Sequence, residues 1–388
     1  MHLRQLQLVH FRNYERQELR LAPGPVLFLG ENAQGKTNLL EAVFLLAAGR
    51  SERASSDADY IGWSARGEPQ PFARIAATAV RAAGDVTVEL TVAGREGPRG
   101  ALAASKRYKL NGVPKRASDV VGAITAVLFT TDDMELVKGA PAGRRRYLDV
   151  MLSQADHRYL RALQRYTKVV TQRNALLRRI QDGAARPDEL AYWDEQLAGD
   201  GALLLVSRAQ AVARLAGHAA EAHGRLSDER ERLGLAYEPR FVEGWPPARI
   251  AAAEPADVAS ALLARLEATH ERDAAAGVTL VGPHRDDLAL TLGGEPAGAF
   301  ASRGQQRTAA LALRLAEARL LSERTGDRPL LLLDDVLSEL DAARRASVLG
   351  VIDADQVLIT GTDPDRFDAA WPAGAQVYRV RAGHAERV

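Results

Sequence analysis

The sequence predicts an α/β protein in which β-rich material at the two ends of the chain brackets a helical insertion. Three observations carry that prediction. Alternating apolar and polar residues punctuate the stretch from Leu3 to Gly112. A glycine-rich turn joins an apolar strand to a helix near the N-terminus. From Ala142 to about Gly224 nearly every residue is a helix former, and strand character returns near Val278. At 388 residues the chain can bury a large core and make two lobes. The expected division is a discontinuous β/α part at 1–125 and 278–388, with a helical lobe at 126–277.

Composition narrows the class. A chain that is 46% hydrophobic and 26% charged, with a net charge of +1, reads as a soluble globular protein. Near-neutrality excludes a wholly basic nucleic-acid coat, so a DNA site has to be a local patch. No apolar run approaches a membrane span, and the N-terminus alternates like a strand instead of resembling a signal peptide, so a cytoplasmic location is expected. The absence of cysteine excludes disulfides and thiolate metal sites. The eight histidines show no zinc-ligand pairing, and protein-ligated zinc is not expected.

In chain order, Leu3, Leu6, Leu8 and Phe11 interleave with polar residues. Their antiparallel partner is Gln17 to Leu21, across a turn at Arg12-Asn13-Tyr14. Val26 to Leu29 is a buried strand and Asn38 to Ala48 the helix after it. Ser51 to Pro71, polar and turn-rich, reads as a mobile surface loop. Phe72 to Val80 and Asp85 to Val92 form a hairpin, and Arg107 to Leu110 precedes an Asn111-Gly112 turn. His157 to Ile180 carries Leu160, Leu163, Tyr166, Val170 and Leu177 at helical spacing. Arg186-Pro187-Asp188 ends it and can cap a second helix from about Glu189 to His223, about 50 Å long. Two such helices make a stubby antiparallel arm. Pro239 to Pro255 is irregular, and a further helix runs to about Ala274. Strands are expected at Val278 to Val281, Asp287 to Leu292, Leu330 to Leu333 and Gln356 to Thr360, with Gln376 to Val380 the last. Helices are expected at Gln305 to Arg324 and Ala342 to Ile352.

The chemistry begins at Gly30, Glu31, Asn32, Ala33, Gln34, Gly35, Lys36 and Thr37, which fit G-x-x-x-x-G-K-[ST] between a strand and a helix. Backbone N–H groups of such a loop turn towards phosphate oxygens, with the positive end of the helix dipole behind them. Lys36 reaches the β- and γ-phosphates, Thr37 ligates Mg²⁺, and Asn38 completes the nucleotide-binding run. A carboxylate at the end of a neighbouring parallel strand is then required, and Asp334, after Leu330 to Leu333, supplies it. Asp335 could polarise an attacking water, help worth about 10²–10⁴ in rate. The lesser alternative is a capping or solvated carboxylate, because adjacent strand residues face opposite sides. Ser302, Arg303, Gly304 and Gln305 open the preceding helix. Alone they read as a serine cap or as a second anion site. One protomer does not need two phosphate-binding helix ends, whereas two protomers head to tail would use both on one nucleotide.

This order of motifs resembles ABC-type ATPase heads: phosphate loop, S-x-G-Q signature, strand with acidic end, then Ser338-Glu339-Leu340-Asp341. Ser338 and Asp341 stand where the D-loop runs along the dimer seam. Within that superfamily the chain resembles the RecF family, bacterial recombination-mediator ATPases related to Rad50 and SMC heads. The likeness spans nearly the whole chain. It rests on L-x-L-x-x-F-R-N-Y from Leu6 to Tyr14, the Gly30 to Asn38 run, E-L-V-K-G-A-P-A-G-R-R-R-Y-L-D from Glu135 to Asp149, G-P-H-R-D-D from Gly282 to Asp287, S-R-G-Q-Q-R, and L-L-L-D-D-V-L-S-E-L-D. It implies an ABC-ATPase head of mixed sheets split by a helical insertion, with an α-helical second lobe. The implied ligands are ATP and Mg²⁺, with Arg12 and Asn32 near the nucleotide, Lys36 and Asp335 catalytic, and the signature acting in trans. The implied partners are a second copy of the chain, gapped or single-strand/double-strand junction DNA, and RecR. The implied role is loading recombinase in recombination, replication, DNA repair and the SOS response.

Two departures from the wider ABC pattern matter. Asp335 stands where glutamate is usual, one methylene shorter, which predicts slow hydrolysis. Thr360-Gly361-Thr362 stands where transporters place a switch histidine. The Gln of a Q-loop is not placed; Asp132-Asp133 is the nearest region.

For DNA, Arg158, Arg161, Arg165, Lys168 and Arg179 fall on one helix side, with Arg144, Arg145 and Arg146 before them. Residues 144–182 hold ten basic and three acidic side chains, a local +7 (10 − 3). Such a face gives salt-sensitive, sequence-tolerant phosphate binding, or is a solvated helix face. The His284-Arg285-Asp286-Asp287 cluster reads either as a surface ion network or as an active-site rim. The alternatives to an ATP-gated DNA clamp are a transporter subunit and an SMC-like structural tether. Against the first stands the distance from Lys36 to Ser302, 266 positions (302 − 36). Against the second stands the shortness of the helical insertion.

Overall fold

Alternation at the N-terminus becomes the antiparallel pair β1 (His2–Phe11) and β2 (Tyr14–Arg20), which bury Leu3, Leu6, Leu8, Phe11 and Tyr14. β3 (Gly24–Leu29) runs through the phosphate loop into α1 (Lys36–Ala48), a helix buried on every side from Leu39 to Ala47. β4 (Phe72–Val80), β5 (Val86–Glu96), β6 (Leu102–Leu110) and β7 (Val113–Lys115) follow, then α2 (Ala117–Val120) and β8 (Ala126–Phe129). The helical stretch comprises α3 (Met134–Lys138), α4 (Pro141–Ala155), α5 (His157–Gln181) and α6 (Ala191–Ser227). β9 (Leu233–Glu238), α7 (Pro247–Ala252), α8 (Pro255–Glu267) and α9 (His270–Ala276) come next. β10 (Asp287–Leu292), β11 (Glu295–Pro296), α10 (Ala297–Phe300) and α11 (Arg303–Thr325) lead to β12 (Leu330–Asp334). α12 (Ala342–Val351), β13 (Gln356–Gly361), β14 (Gln376–Arg381) and β15 (His384–Arg387) complete the chain. The structure, a computed structural model, describes residues 1–51, 53–96, 102–227, 231–339, 342–362 and 374–388.

Contacts divide these elements into two units, 1–133 with 314–388, and 134–313. The first unit holds an antiparallel sheet of order β2-β1-β4-β5-β6-β7 and a mixed sheet of order β15-β14-β3-β13-β12-β8. β14, β3, β13, β12 and β8 are all parallel, and only β15 turns back. The four consecutive leucines of β12 are buried, as a strand in a sheet covered on both faces requires. The second unit packs α5 and α6 with a three-stranded sheet, β11-β10-β9. The expected boundaries at 125 and 278 therefore differ from the observed ones. β10 pairs along its whole length with β9, so residues up to 313 go with the helices.

Several local expectations are corrected. Residues 51–71 are not simply a surface loop: Ala58, Tyr60, Ile61 and Ala65 are buried, and Ile61 bridges to Phe11. Val278–Val281 is not a strand, and β9, unread in the sequence, takes its place as the partner of β10. β14 is followed by another strand, β15. The face of α5 that packs inward carries Tyr159, Ala162, Tyr166, Arg173, Leu176 and Leu177, while Leu160, Leu163 and Val170 lie at its margin. A fully buried arginine displaced the stripe. Arg173 reaches Asp194 and Asp273 at 2.7 Å each and Thr279 Oγ1 at 2.9 Å, so its charge is met inside the core.

Candidate nucleotide site

The phosphate loop is held in shape by its own backbone conformation and by two neighbouring turns. Ala33 and Gly35 adopt positive φ (63° and 113°), and α1 starts at Lys36. A Cβ on Gly35 would sit 2.6 Å from Asn13 Nδ2, and one on Gly30 would sit 2.3 Å from the Val380 carbonyl oxygen, so both glycines are demanded by close packing. Two turns clamp the loop. From the β1–β2 turn, Asn13 Nδ2 donates to Gln34 O at 2.9 Å, Asn13 Oδ1 accepts from Asn38 at 2.8 Å, and the Tyr14 hydroxyl donates to Gly35 O at 3.0 Å. From the β14–β15 turn, Ala382 N–H donates to Gln34 Oε1 at 2.7 Å and Gly383 N–H to Gln34 O at 3.0 Å. Glu31, Asn32 and Ala33 remain exposed at its tip.

Lys36 is buried and donates to the carbonyls of Gly30 at 2.6 Å and Glu31 at 2.8 Å. Burial lowers its pKa, and Asp335 and Asp334 pull it back up, so both carboxylates act on the lysine. Thr37 Oγ1 donates to Asp334 Oδ1 at 2.9 Å. The strand carrying Asp334 is not the neighbour of the loop strand, as expected, but the next but one: β13 lies between β3 and β12. Thr360 on β13 spans the gap. Its hydroxyl donates to Asp334 Oδ1 at 2.8 Å and accepts from the Asp335 N–H at 2.9 Å. Asp334, mostly buried, has its pKa raised by desolvation, against hydrogen bonds from Thr360 and Thr37 and the cation of Arg53.

Asp335 leaves the strand alternation altogether. Its φ is +56°, a left-handed conformation that aspartate tolerates, and Ser338 Oγ lies 2.6 Å from both its carbonyl and its carboxylate oxygen. The opposite-faces argument therefore does not apply to it. Asp341, the other D-loop residue, lies outside the described residues.

Arg12 is held rather than free. It makes a bidentate pair with Glu41, at 3.0 and 2.6 Å, and donates to Asp59 O at 2.9 Å. It lines a cavity of about 340 Å³ with Asn13, Asn38, Arg53, Asp59, Ile61, Trp63 and Arg66. Arg53 also donates to Asn38 Oδ1 at 3.0 Å. Arg53 and Thr360 are the functional candidates that sequence reasoning passed over. The first sat in a presumed loop, and the second stood out only as the absence of a histidine.

A hydroxyl meeting a buried carboxylate beside a lysine fits a Mg²⁺ ion held partly by phosphate oxygens. Among the described residues no cluster of three or more acidic, histidine or cysteine side chains offers a cage for a metal. Thr37 and Asp334 would hold the ion.

In the second unit, Ser302 and Gln305 form a reciprocal cap: Ser302 N–H donates to Gln305 Oε1 at 2.6 Å and Gln305 N–H to Ser302 Oγ at 3.3 Å. Ser302 and Arg303 are exposed, with Gly304 behind them in the first turn. The basic residues of this unit separate into two sets. Arg144 is bidentate to Asp287 at 2.8 Å, and Arg145 donates to the Asp286 carbonyl at 2.7 Å, so these two are tied inward. Arg158, Arg161, Arg165 and Lys168 are exposed along α5, although Arg165 is engaged by Asp200 at 2.5 Å and Arg158 approaches Asp156 at 3.5 Å. The His284 cluster is anchored in the interior of this unit through Asp286, while Arg285 is exposed. Asp286 is buried and accepts from Tyr237, Arg240 N–H and Arg208. Arg208 also reaches Asp149 and the Pro283 carbonyl.

A clamped phosphate loop, a strand-end aspartate two strands away and an S-x-G-Q helix start define an ABC-type ATPase head. The family model described as RecF/RecN/SMC N terminal domain matches residues 2–386. The DNA replication and repair protein RecF of Roseiflexus castenholzii is 45% identical over 396 residues, covering 99% of each chain. That of Chloroflexus aurantiacus is 44% identical over 393 residues, again with 99% of each covered. A solved structure of the recombination mediator protein RecF with ATP, in the RecFOR pathway, superposes with a TM-score of 0.85 at 30% identity, over 100% of this chain and 97% of that one. An SMC head bound to the C-winged helix domain of ScpA shares the fold at 18% identity, with a TM-score of 0.52 over 100% of this chain and 97% of that one. The chain belongs to the RecF family.

Proposed function

We propose that this protein is an ATP-binding protein of DNA replication and repair whose two copies close on DNA when ATP is bound and part when it is hydrolysed. The observation that carries the reading is the meeting of Lys36, Thr37, Asp334, Thr360 and Asp335 at one end of the parallel strands. In this reading the loop N–H groups and Lys36 bind the triphosphate, and the signature serine of the second copy, Ser302, completes the pocket from outside. Arg12, Asn32 and Asn38 lie on the nucleoside side. Thr37 and Asp334 would hold a Mg²⁺ ion, which would supply charge neutralisation for the triphosphate. Asp335 orients the attacking water and takes its proton. Its shorter side chain and its engagement by Ser338 both favour slow turnover, which suits a timer rather than a motor.

The DNA face in this reading is the outer side of α5, carried by Arg158, Arg161 and Lys168, with Arg165 next to them. Phosphate contacts there would be indifferent to base sequence, so selection of gaps or junctions falls to DNA shape and to partners such as RecR. Among the described residues no helix is long and apolar enough to cross a membrane.

Sedimentation with and without ATP tests the dimer. Wild type should shift from monomer to dimer at saturating ATP. Lys36→Met should lose more than about tenfold in ATP affinity, since hydrogen bonds from a charged group contribute about 1.5–3 kcal/mol, and should stay monomeric. Asp335→Asn should bind ATP and remain dimeric without turnover. A wild-type chain monomeric at saturating ATP would falsify the clamp.

A further inference from the structure

We infer that Glu231, which lies outside every motif, is a positioning residue for the signature: it fixes the orientation of the Gln305 side-chain amide and through it the donors that Ser302 presents. The inference rests on the reading of Ser302 as a contact to nucleotide bound by a second copy.

The chemistry is that of an amide with two unlike ends. Gln305 Nε2 donates to Glu231 Oε1, while Gln305 Oε1 accepts from Ser302 N–H at 2.6 Å. An ionised carboxylate only accepts, so the NH₂ end of Gln305 must face Glu231 and the oxygen end must face Ser302. The Ser302 N–H is thereby consumed inside the turn. Ser302 Oγ, in turn, accepts from Gln305 N–H at 3.3 Å, which leaves its own hydrogen as the donor directed outward. Without an acceptor oxygen opposite Nε2, the amide can flip or rotate and the cap loses its definition.

The fold holds Glu231 for this purpose. It stands two residues before β9, whose pairing with β10 runs from Leu233 opposite Leu292 to Glu238 opposite Asp287. Gly293 N–H donates to the Arg232 carbonyl at 3.0 Å, which extends that register to the residue beside Glu231. β10 continues through β11 and α10 into the signature turn, so one small sheet carries both ends of the contact. Gln306 fixes the other side of the turn. It is buried and donates to the Ala301 carbonyl at 3.1 Å and the Gly298 carbonyl at 3.4 Å. Thus the signature's first glutamine is set from Glu231 and its second from the preceding turn.

A carboxylate near a helix N-terminus is favoured by the dipole but repels a phosphate bound at the same end, so the charge of Glu231 and its hydrogen bond have opposite effects on that site. That makes a conservative variant informative. Glu231→Gln keeps an acceptor oxygen and removes the charge, whereas Glu231→Ala removes both.

The test measures the protein concentration at half-dimerisation in saturating ATP, and ATP affinity at concentrations where the chain is monomeric. Glu231→Ala should raise the first by about tenfold and leave the second within about twofold. Glu231→Gln should return the first to within about twofold of wild type. Gln305→Ala should match Glu231→Ala, and the double variant should be no worse than either single one. Ser302→Arg serves as the reference for the underlying reading. If Ser302→Arg abolishes dimerisation but Glu231→Ala does not weaken it, the inference is overturned and the composite site stands. Equal weakness of Glu231→Gln and Glu231→Ala, or additive losses in the double variant, also overturns it. Normal dimerisation by Ser302→Arg removes the composite site itself, and the role of Glu231 with it.

Discussion

Thr360 does at the scale of one side chain what the strand order makes necessary. With β13 inserted between β3 and β12, Thr37 and Asp334 approach from two strands apart, and a hydroxyl on the intervening strand links the metal-side carboxylate to the backbone of Asp335. Removing that hydroxyl leaves the Asp335 N–H without its acceptor, a loss of about 1–3 kcal/mol for a partly buried donor. The loss should fall on the positioning of Asp335 more than on the phosphate loop. Thr360→Val should therefore lower the ATPase turnover by about tenfold or more while ATP affinity stays within about threefold. Equilibrium ATP binding beside steady-state hydrolysis separates the two. Equal loss in both would place Thr360 in the binding of the nucleotide instead.

At the scale of elements, the second unit depends on polar groups that tie its helices to its turns. Arg173 of α5 joins α6 through Asp194 and α9 through Asp273, and a neutral histidine pins the turn after them. His284 Nδ1 lies 2.7 Å from the Tyr166 hydroxyl of α5, and Nε2 lies 3.0 Å from the Thr279 carbonyl. The carbonyl can only accept, so Nε2 carries the proton and Nδ1 accepts from tyrosine. Burial, with the cations of Arg285, Arg145 and Arg208, pushes the imidazole down to about 4 from 6.5. The folded state then binds fewer protons than the unfolded chain between those values. Stability due to this group is present above about pH 6.5 and falls as pH drops towards 4, with a slope of up to about 1.4 kcal/mol per pH unit. In urea unfolding, His284→Asn should flatten that slope relative to wild type. A variant with the wild-type slope would mean that another group titrates there.

At the scale of the molecule, a chain with a net charge of only +1 would have to bind DNA through a concentrated face, as proposed for α5. The exposed members of that face are not equivalent. Arg165 is held by Asp200 with its side chain 61% exposed, whereas Arg158 only approaches Asp156 and is 83% exposed. Replacing Arg158, Arg161 and Lys168 together by Ala should weaken DNA binding in the presence of ATP. It should also reduce the slope of log affinity against log salt by about 2–3, because each phosphate left without its cation keeps its counterion. Fluorescence anisotropy across a salt series measures both. An unchanged slope would move the DNA site off α5. Arg144→Ala should behave differently, because breaking its pair with Asp287 disturbs packing within the unit rather than the exposed face.

Much of this was legible in the amino-acid order because it is local. A glycine-rich turn between a strand and a helix, four leucines ending in aspartate, and a Ser-x-Gly-Gln helix start are all properties of short segments. The likeness to the RecF family rests on those segments together with the Leu6 to Tyr14, Glu135 to Asp149 and Gly282 to Asp287 runs, which are equally local. The tertiary structure decided what locality cannot reach. It put β13 between the phosphate-loop strand and the strand of Asp334, and gave Asp335 its left-handed backbone. It also placed Arg53 so that its cation acts on Asp334. It turned the inward face of α5 onto a buried arginine, and it drew Glu231 from outside any motif to the signature glutamine. The physical reason is the same in each case: strand order, burial and hydrogen-bond partners join residues tens or hundreds of positions apart, and no window of sequence contains both ends of such a contact.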